Sequence, residues 1–170
     1  MSEPHPLDIV APSKIAQLVD EVGIHKAHMN FQQTFGLAIL AGAFISFGAM
    51  FYTVTITGSE LGFGPTKLLG GLAFSLGLIM VIIGGAELFT GNSLIVMAWA
   101  SKAITTRALL RNWSIVYFGN FIGALATALL MHFSGILNLA DGAIGASAEV
   151  IALSKISTQP LELFIRAILC

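Results

Sequence analysis

The sequence predicts an all-α membrane protein with one interrupted span, and three observations carry that expectation. Of 170 residues, 56% are hydrophobic and only 10% charged, with a mean hydropathy of +0.87. A soluble domain averages about 25% charged residues, so this chain could not cover a water-facing surface. Long apolar runs alternate with short polar stretches. The longest, Leu68–Ala100, contains one charged residue, Glu87. As a single straight helix that run would extend about 50 Å at ~1.5 Å per residue, against a bilayer core of about 30 Å. Two ordinary spans need about 20 residues each and do not fit. The expectation is one crossing made of two helical pieces, broken near Leu88–Gly91. Irregular backbone at membrane depth survives only where protein buries it or it lines a watery path, and interrupted helices mark substrate sites in transporters.

Composition also excludes whole classes. A net charge of −1, with no basic stripe, argues against a nucleic-acid partner. The single cysteine, Cys170, permits neither an intrachain disulfide nor a cysteine-only metal site, and reads as a small apolar helix residue. The first 30 residues lack the apolar core of a cleavable signal, so the chain is expected to enter the membrane by its first span. Nothing in the sequence calls for a cofactor or marks an enzyme.

The elements follow in order. Residues 1–33 form a cytoplasmic N-terminal segment. In it, Pro12-Ser13 precedes Ile15, Leu18, Val19 and Val22 at helical spacing, and Gly23 reads as a stop. Lys14, Gln17, Asp20 and Glu21 make the polar face. An interfacial helix on the membrane is preferred to a movable plug or an intersubunit brace. Residues 34–170 form the membrane domain. The first span, 34–57, is rich in small residues that admit close helix packing. After a turn over Gly58–Pro65 comes the broken span, 67–101. A short basic connection, Lys102–Arg111, leads to the third span, 112–133. That span carries Gly119 and Gly123 as a packing face, with Trp113 and Tyr117 near its first end. A long Gly-, Ala- and Ser-rich connection, 134–158, holds a short surface helix near Ala146–Lys155. A fourth span opens at Pro160, with Glu162 one turn before Arg166. Eleven residues reach only about 16 Å, half the hydrocarbon core, so the second half of the fold is expected to lie outside this sequence. Lys14, Lys26, Lys102, Arg107 and Arg111 outnumber Lys67 and Lys155 on the other side, placing the N-terminus in the cytoplasm and the 134–158 connection outside.

The run Ile82-Ile83-Gly84-Gly85-Ala86-Glu87-Leu88-Phe89-Thr90-Gly91 resembles the first signature of the formate–nitrite transporter family. Pro6-Leu7-Asp8 through Pro12 to Gly23 resembles the start of its formate channels. Phe118-Gly119-Asn120 with Gly123-Ala124-Leu125 resembles their third span. Ile168-Leu169-Cys170 resembles the opening of the second signature. The resemblance covers essentially the whole chain. It implies an aquaporin-like fold of six spans in two inverted halves, assembled as a homopentamer with one pore per subunit in the cytoplasmic (inner) membrane. This chain supplies spans 1–3 and the start of span 4. The family's central pore histidine belongs to the other half. His5, His25 and His28 lie in the cytoplasmic segment, and His132 reads as a hydrogen-bonded interface histidine.

An unpaired anion in a low-dielectric interior costs tens of kcal/mol by Born estimates, so a pore must offer donors. A helix start at the break supplies free N–H groups and partial positive charge. Gly91 permits the turn, Asn92 or Ser93 is expected to cap the second piece, and both Gly91 and Asn92 are expected along the anion path. Thr90 either adds a hydroxyl donor or satisfies its own loop; the resemblance assigns it to the pore, paired with the histidine of the other half. The resemblance also makes Leu88 a constriction, matches Phe74 and Leu78 to positions narrowing the path, and places Lys155 near the outer vestibule, where a solvated loop lysine is the competing reading. Phe89 ranks below Leu88 because it can pack behind the loop. A tight apolar slit rejects hydrated cations and large anions. Glu87 opposes an anion path and is read as structural, accepting hydrogen bonds from the broken backbone.

Two function classes compete. One is a passive or pH-gated channel for a small monovalent anion, with formate first, then nitrite, then hydrosulfide. The other is a membrane anchor of a redox enzyme, which needs paired membrane histidines for haem; only His132 lies near a span.

Overall fold

A computed structural model describes residues 12–169, with side chains from Lys14. Pro6-Leu7-Asp8, His5 and Cys170 lie outside the described residues. All regular structure among the described residues is helical: α1 (Pro12–His28), α2 (Phe31–Ile56), α3 (Phe63–Ile83), α4 (Phe89–Asn92), α5 (Ile95–Ala100), α6 (Thr106–Phe133), a 3₁₀ turn (Ile136–Asn138), α7 (Ala143–Ile156) and α8 (Pro160–Leu169). Helices α2, α3 and α6 are long and apolar enough to cross a membrane. The residues divide into two compact units: 12–44 with Ile79–Leu125, and Ile45–Leu78 with 126–169.

In the first unit, small residues decide how helices meet. A Cβ on Gly42 would fall 2.1 Å from the Asn120 carbonyl oxygen, and one on Gly123 2.0 Å from that of Ile39. A Cβ on Gly119 would strike that of Ala38 at 2.4 Å. The Gly119/Gly123 face therefore packs α6 against α2 at backbone contact, as small-residue interfaces do. Gly23 does not stop α1, which continues to His28. It is a contact glycine instead: a Cβ there would lie 3.1 Å from that of Ala98 on α5. Ala27, Ile95, Ala98, Ile104 and Leu109 form the buried cluster beneath this crossing. The helix α6 begins at Thr106, six residues before the expected span, because Thr105 caps it by accepting the Ala108 N–H at 3.2 Å.

In the second unit, Gly48 packs against the backbone of α3 near Phe74 and Gly77, and Gly70 faces Tyr52 and Ile56. Lys67 Nζ donates to the Tyr52 hydroxyl at 2.7 Å. The connection after α6 is more helical than expected, with α7 running from Ala143 to Ile156. On α8, Arg166 pairs with Glu162, as their spacing implies.

Candidate functional site

The chain is interrupted between α3 and α4, but at Gly84–Leu88 rather than Leu88–Gly91. The cause is legible in the backbone. Gly85 is left-handed, with φ +59; the Gly85 N–H reaches the Ile82 carbonyl and the Ala86 N–H reaches that of Val81. That pair of bonds is a Schellman ending, which wants glycine at the left-handed position. Phe89, Thr90 and Gly91 are then helical, and Leu88 is the extended residue that opens α4. Neither Asn92 nor Ser93 caps it. The Phe89 N–H instead donates to Asn120 Oδ1 from α6 at 2.9 Å. Helix α3 alone holds 21 residues, about 31 Å at ~1.5 Å per residue. Length alone therefore does not make α3 and the pieces after it a single crossing.

Asn120 is the hinge-pin of the interruption. Its Nδ2 donates to the Ala38 and Glu87 carbonyls, each at 2.8 Å, while its Oδ1 holds the Phe89 N–H. The Glu87 N–H reaches the Leu37 carbonyl at 3.2 Å. The irregular segment thus borrows hydrogen bonds from α2 and α6 in place of its own helix, meeting the demand that buried backbone groups be paired.

Glu87 is buried, and its carboxylate is served by side chains, not by the broken backbone. Lys26 Nζ lies 2.8 Å from Oε1, and Asn92 Nδ2 donates to Oε2 at 2.6 Å. Asn92 is wholly buried. Its amide also reaches Asn112 Oδ1 at 2.9 Å, its Oδ1 accepts Lys26 Nζ at 3.0 Å, and its carbonyl accepts Trp113 Nε1 at 2.9 Å. Asn112 Nδ2 returns to the Lys26 carbonyl at 3.0 Å. The side chains of Glu87, Asn92 and Asn112 spend their polar groups inside the protein, whereas that of Lys26 stays partly exposed. Sequence reasoning missed Lys26, Asn112, Trp113 and Asn120. The available signals were the need of a buried acid for a cation and the eight-residue spacing of Asn112 and Asn120, which returns to one helix face.

The remaining site residues divide by unit. In the first, Leu88 and Phe89 are half-buried, and Thr90 and Gly91 exposed. The Phe89 ring meets Trp113 edge-on at 6.3 Å and Tyr117 at 5.6 Å, so it packs against α6. The Thr90 carbonyl accepts the Ser93 hydroxyl at 2.6 Å, whereas the Thr90 hydroxyl has no hydrogen-bond partner among the described residues. In the second unit, Phe74 and Leu78 lie exposed one turn apart on α3, and Lys155 is exposed on α7. No group of three His, Cys, Asp or Glu residues suited to a metal occurs among the described residues.

The sequence model of the formate/nitrite transporter family matches residues 13–170. The chain belongs to that family. It is 43% identical over 163 residues to the formate channel FocA of Escherichia coli (strain K12), covering 95% of this chain and 57% of that one. It is 41% identical over 172 residues to the formate channel FocA of Haemophilus influenzae, covering 99% and 61%. A solved structure described as a pentameric formate channel with formate bound matches with a TM-score of 0.73 at 44% identity, over 78% of this chain and 52% of that one. The chain thus spans under two thirds of the length of these formate/nitrite transporter relatives. It is a membrane protein by family, with three helices of crossing length among the described residues.

Proposed function

We propose that this chain contributes the interrupted-helix half of a channel that passes formate and similar small monovalent anions across the cytoplasmic membrane, as a homopentamer of six-span subunits with the N-terminus inside. The observation that carries the reading is the interruption itself. A short irregular segment is held by Asn120 through its backbone and by Lys26 through the Glu87 carboxylate, while the Thr90 hydroxyl, in the helical turn that follows, is left unpartnered among the described residues. Rigid backing with a free donor is what a selective path requires: a donor already in place costs no reorganisation when an anion sheds its water, and a single hydroxyl does not hold it too tightly to leave. Identity to named formate channels favours formate over nitrite and hydrosulfide.

In this reading α3 and the α4–α5 pieces make one interrupted crossing, with Leu88 as the apolar constriction and Thr90 and Gly91 along the path. Phe89 and Asn92 support it from behind, the first on the α6 aromatics and the second inside the Glu87 network. Lys155 lies at the outer vestibule. Transport needs no cofactor and no catalytic residue. The test is formate flux in liposomes containing the complete protein. Thr90→Val keeps the shape and removes the donor, and is expected to cut formate flux about tenfold, the equivalent of one hydrogen bond to a charged group. Unchanged flux with an intact fold removes Thr90 from the mechanism.

A further inference from the structure

We propose that a second anion site, specific for a phosphate group, lies at the junction of α1, α2 and α6, apart from the interruption. A cavity of about 350 Å³ opens there, lined among others by His28, Asn30, Thr105, Arg107 and Arg111. Arg107 and Arg111 stand one turn apart on α6 and both reach this cavity. Like charges at that spacing repel, and among the described residues neither arginine pairs with a carboxylate. Arg111 Nη1 donates to the Met29 carbonyl at 3.2 Å, which anchors one guanidinium at the rim and leaves most of its donors unused. Arg107 makes no hydrogen bond among the described residues.

The acceptors that could compete are already committed. Asn30 Oδ1 takes the Gln33 N–H at 2.9 Å, and Thr105 Oγ1 takes the Ala108 N–H. The cavity therefore offers two guanidinium forks, an imidazole and no described carboxylate, so an anion both fills it and relieves the Arg–Arg repulsion. One fork saturates the two oxygens of a carboxylate. A free phosphate presents four terminal oxygens and engages both forks in full, and the tetrahedral phosphodiester of a lipid headgroup shares its two terminal oxygens one to each fork. That group can come from free phosphate or from an anionic lipid headgroup, since α6 continues from Arg111 as an apolar helix of crossing length and basic pockets at the ends of such helices hold lipid phosphates.

The complete protein in neutral detergent is titrated with sodium phosphate at constant ionic strength while its thermal stability is followed. In parallel, nanodiscs of phosphatidylcholine with and without phosphatidylglycerol are analysed for retained lipid by native mass spectrometry. The expected result is saturable stabilisation by phosphate, preferential retention of phosphatidylglycerol, or both. Each should weaken about tenfold in Arg107→Gln, the loss of one charge-assisted fork, and stay unchanged in Lys102→Gln, a cation that does not line the cavity. Arg107→Lys should recover the charge but only part of the affinity. A response to phosphate alone identifies the free ion as the source, and one to phosphatidylglycerol alone identifies the headgroup. No response in either arm overturns the proposal, and so does equal loss in Lys102→Gln, which would mean diffuse surface charge.

Discussion

Replacing Lys26 by Met should destabilise the first unit far more than replacing Glu87 by Gln, although both changes delete the same ion pair. The two side chains sit differently: that of Lys26 is 25% exposed and that of Glu87 only 5%. In Glu87→Gln, the ammonium keeps its bond to Asn92 Oδ1 and its contact with water. The new side-chain carbonyl can still accept from Asn92. The expected cost is about 1–3 kcal/mol, a perturbed buried hydrogen bond. Without Lys26, the Glu87 carboxylate remains buried with one amide donor and no counter-charge, and breaking a buried pair in that way costs about 3–5 kcal/mol. The double variant should recover part of this loss, because a neutral amide in place of the carboxylate needs no cation, giving a coupling of about 1–3 kcal/mol between the sites. The assay is reversible unfolding of the complete protein in mixed micelles, followed by tryptophan fluorescence. Trp113 is a local reporter, since its indole N–H bonds to the Asn92 carbonyl. Equal costs for the two single variants, or strict additivity in the double, would refute this account of the buried pair.

Other expectations follow from the same geometry. Gly123→Ala would push a methyl group to 2.0 Å from the Ile39 carbonyl oxygen; forcing α2 and α6 apart should cost about 1–3 kcal/mol by overpacking, measured by the same unfolding titration. Asn120→Leu removes the partner of the Phe89 N–H and of the Ala38 and Glu87 carbonyls together. At about 1–3 kcal/mol for an unsatisfied buried group, hydrogen exchange over 84–92 should accelerate more than in any other segment of the first unit. Leu88→Ala should widen the proposed slit, so that acetate flux rises relative to formate in liposomes; an unchanged ratio would remove Leu88 from the selection.

Much of the architecture is local in origin and can be read along the chain. Apolar runs of crossing length set the three long helices, Pro160 and the Glu162–Arg166 spacing announce α8, and the small-residue spacing of Gly119 and Gly123 announces a tight helix contact. The signature around Glu87 marks the family before any coordinates. Two local signals are legible but easily misweighed: the Gly84-Gly85 pair, whose left-handed member ends α3 five residues before Leu88, and Gly23, which reads as a stop and is a contact. Tertiary structure alone decided what sustains the interruption. A residue such as Asn120 shows in sequence only that it is polar within an apolar helix. Its role comes from standing opposite backbone groups of Ala38, Glu87 and Phe89, which are remote in sequence and meet only because glycines let α2 and α6 touch. Lys26 likewise reads as one of several cytoplasmic cations until α1 lies against α5 and delivers its ammonium to Glu87. Periodicity and length are properties of one segment, whereas the pairing of a buried charge or an orphaned N–H depends on which segments are brought together.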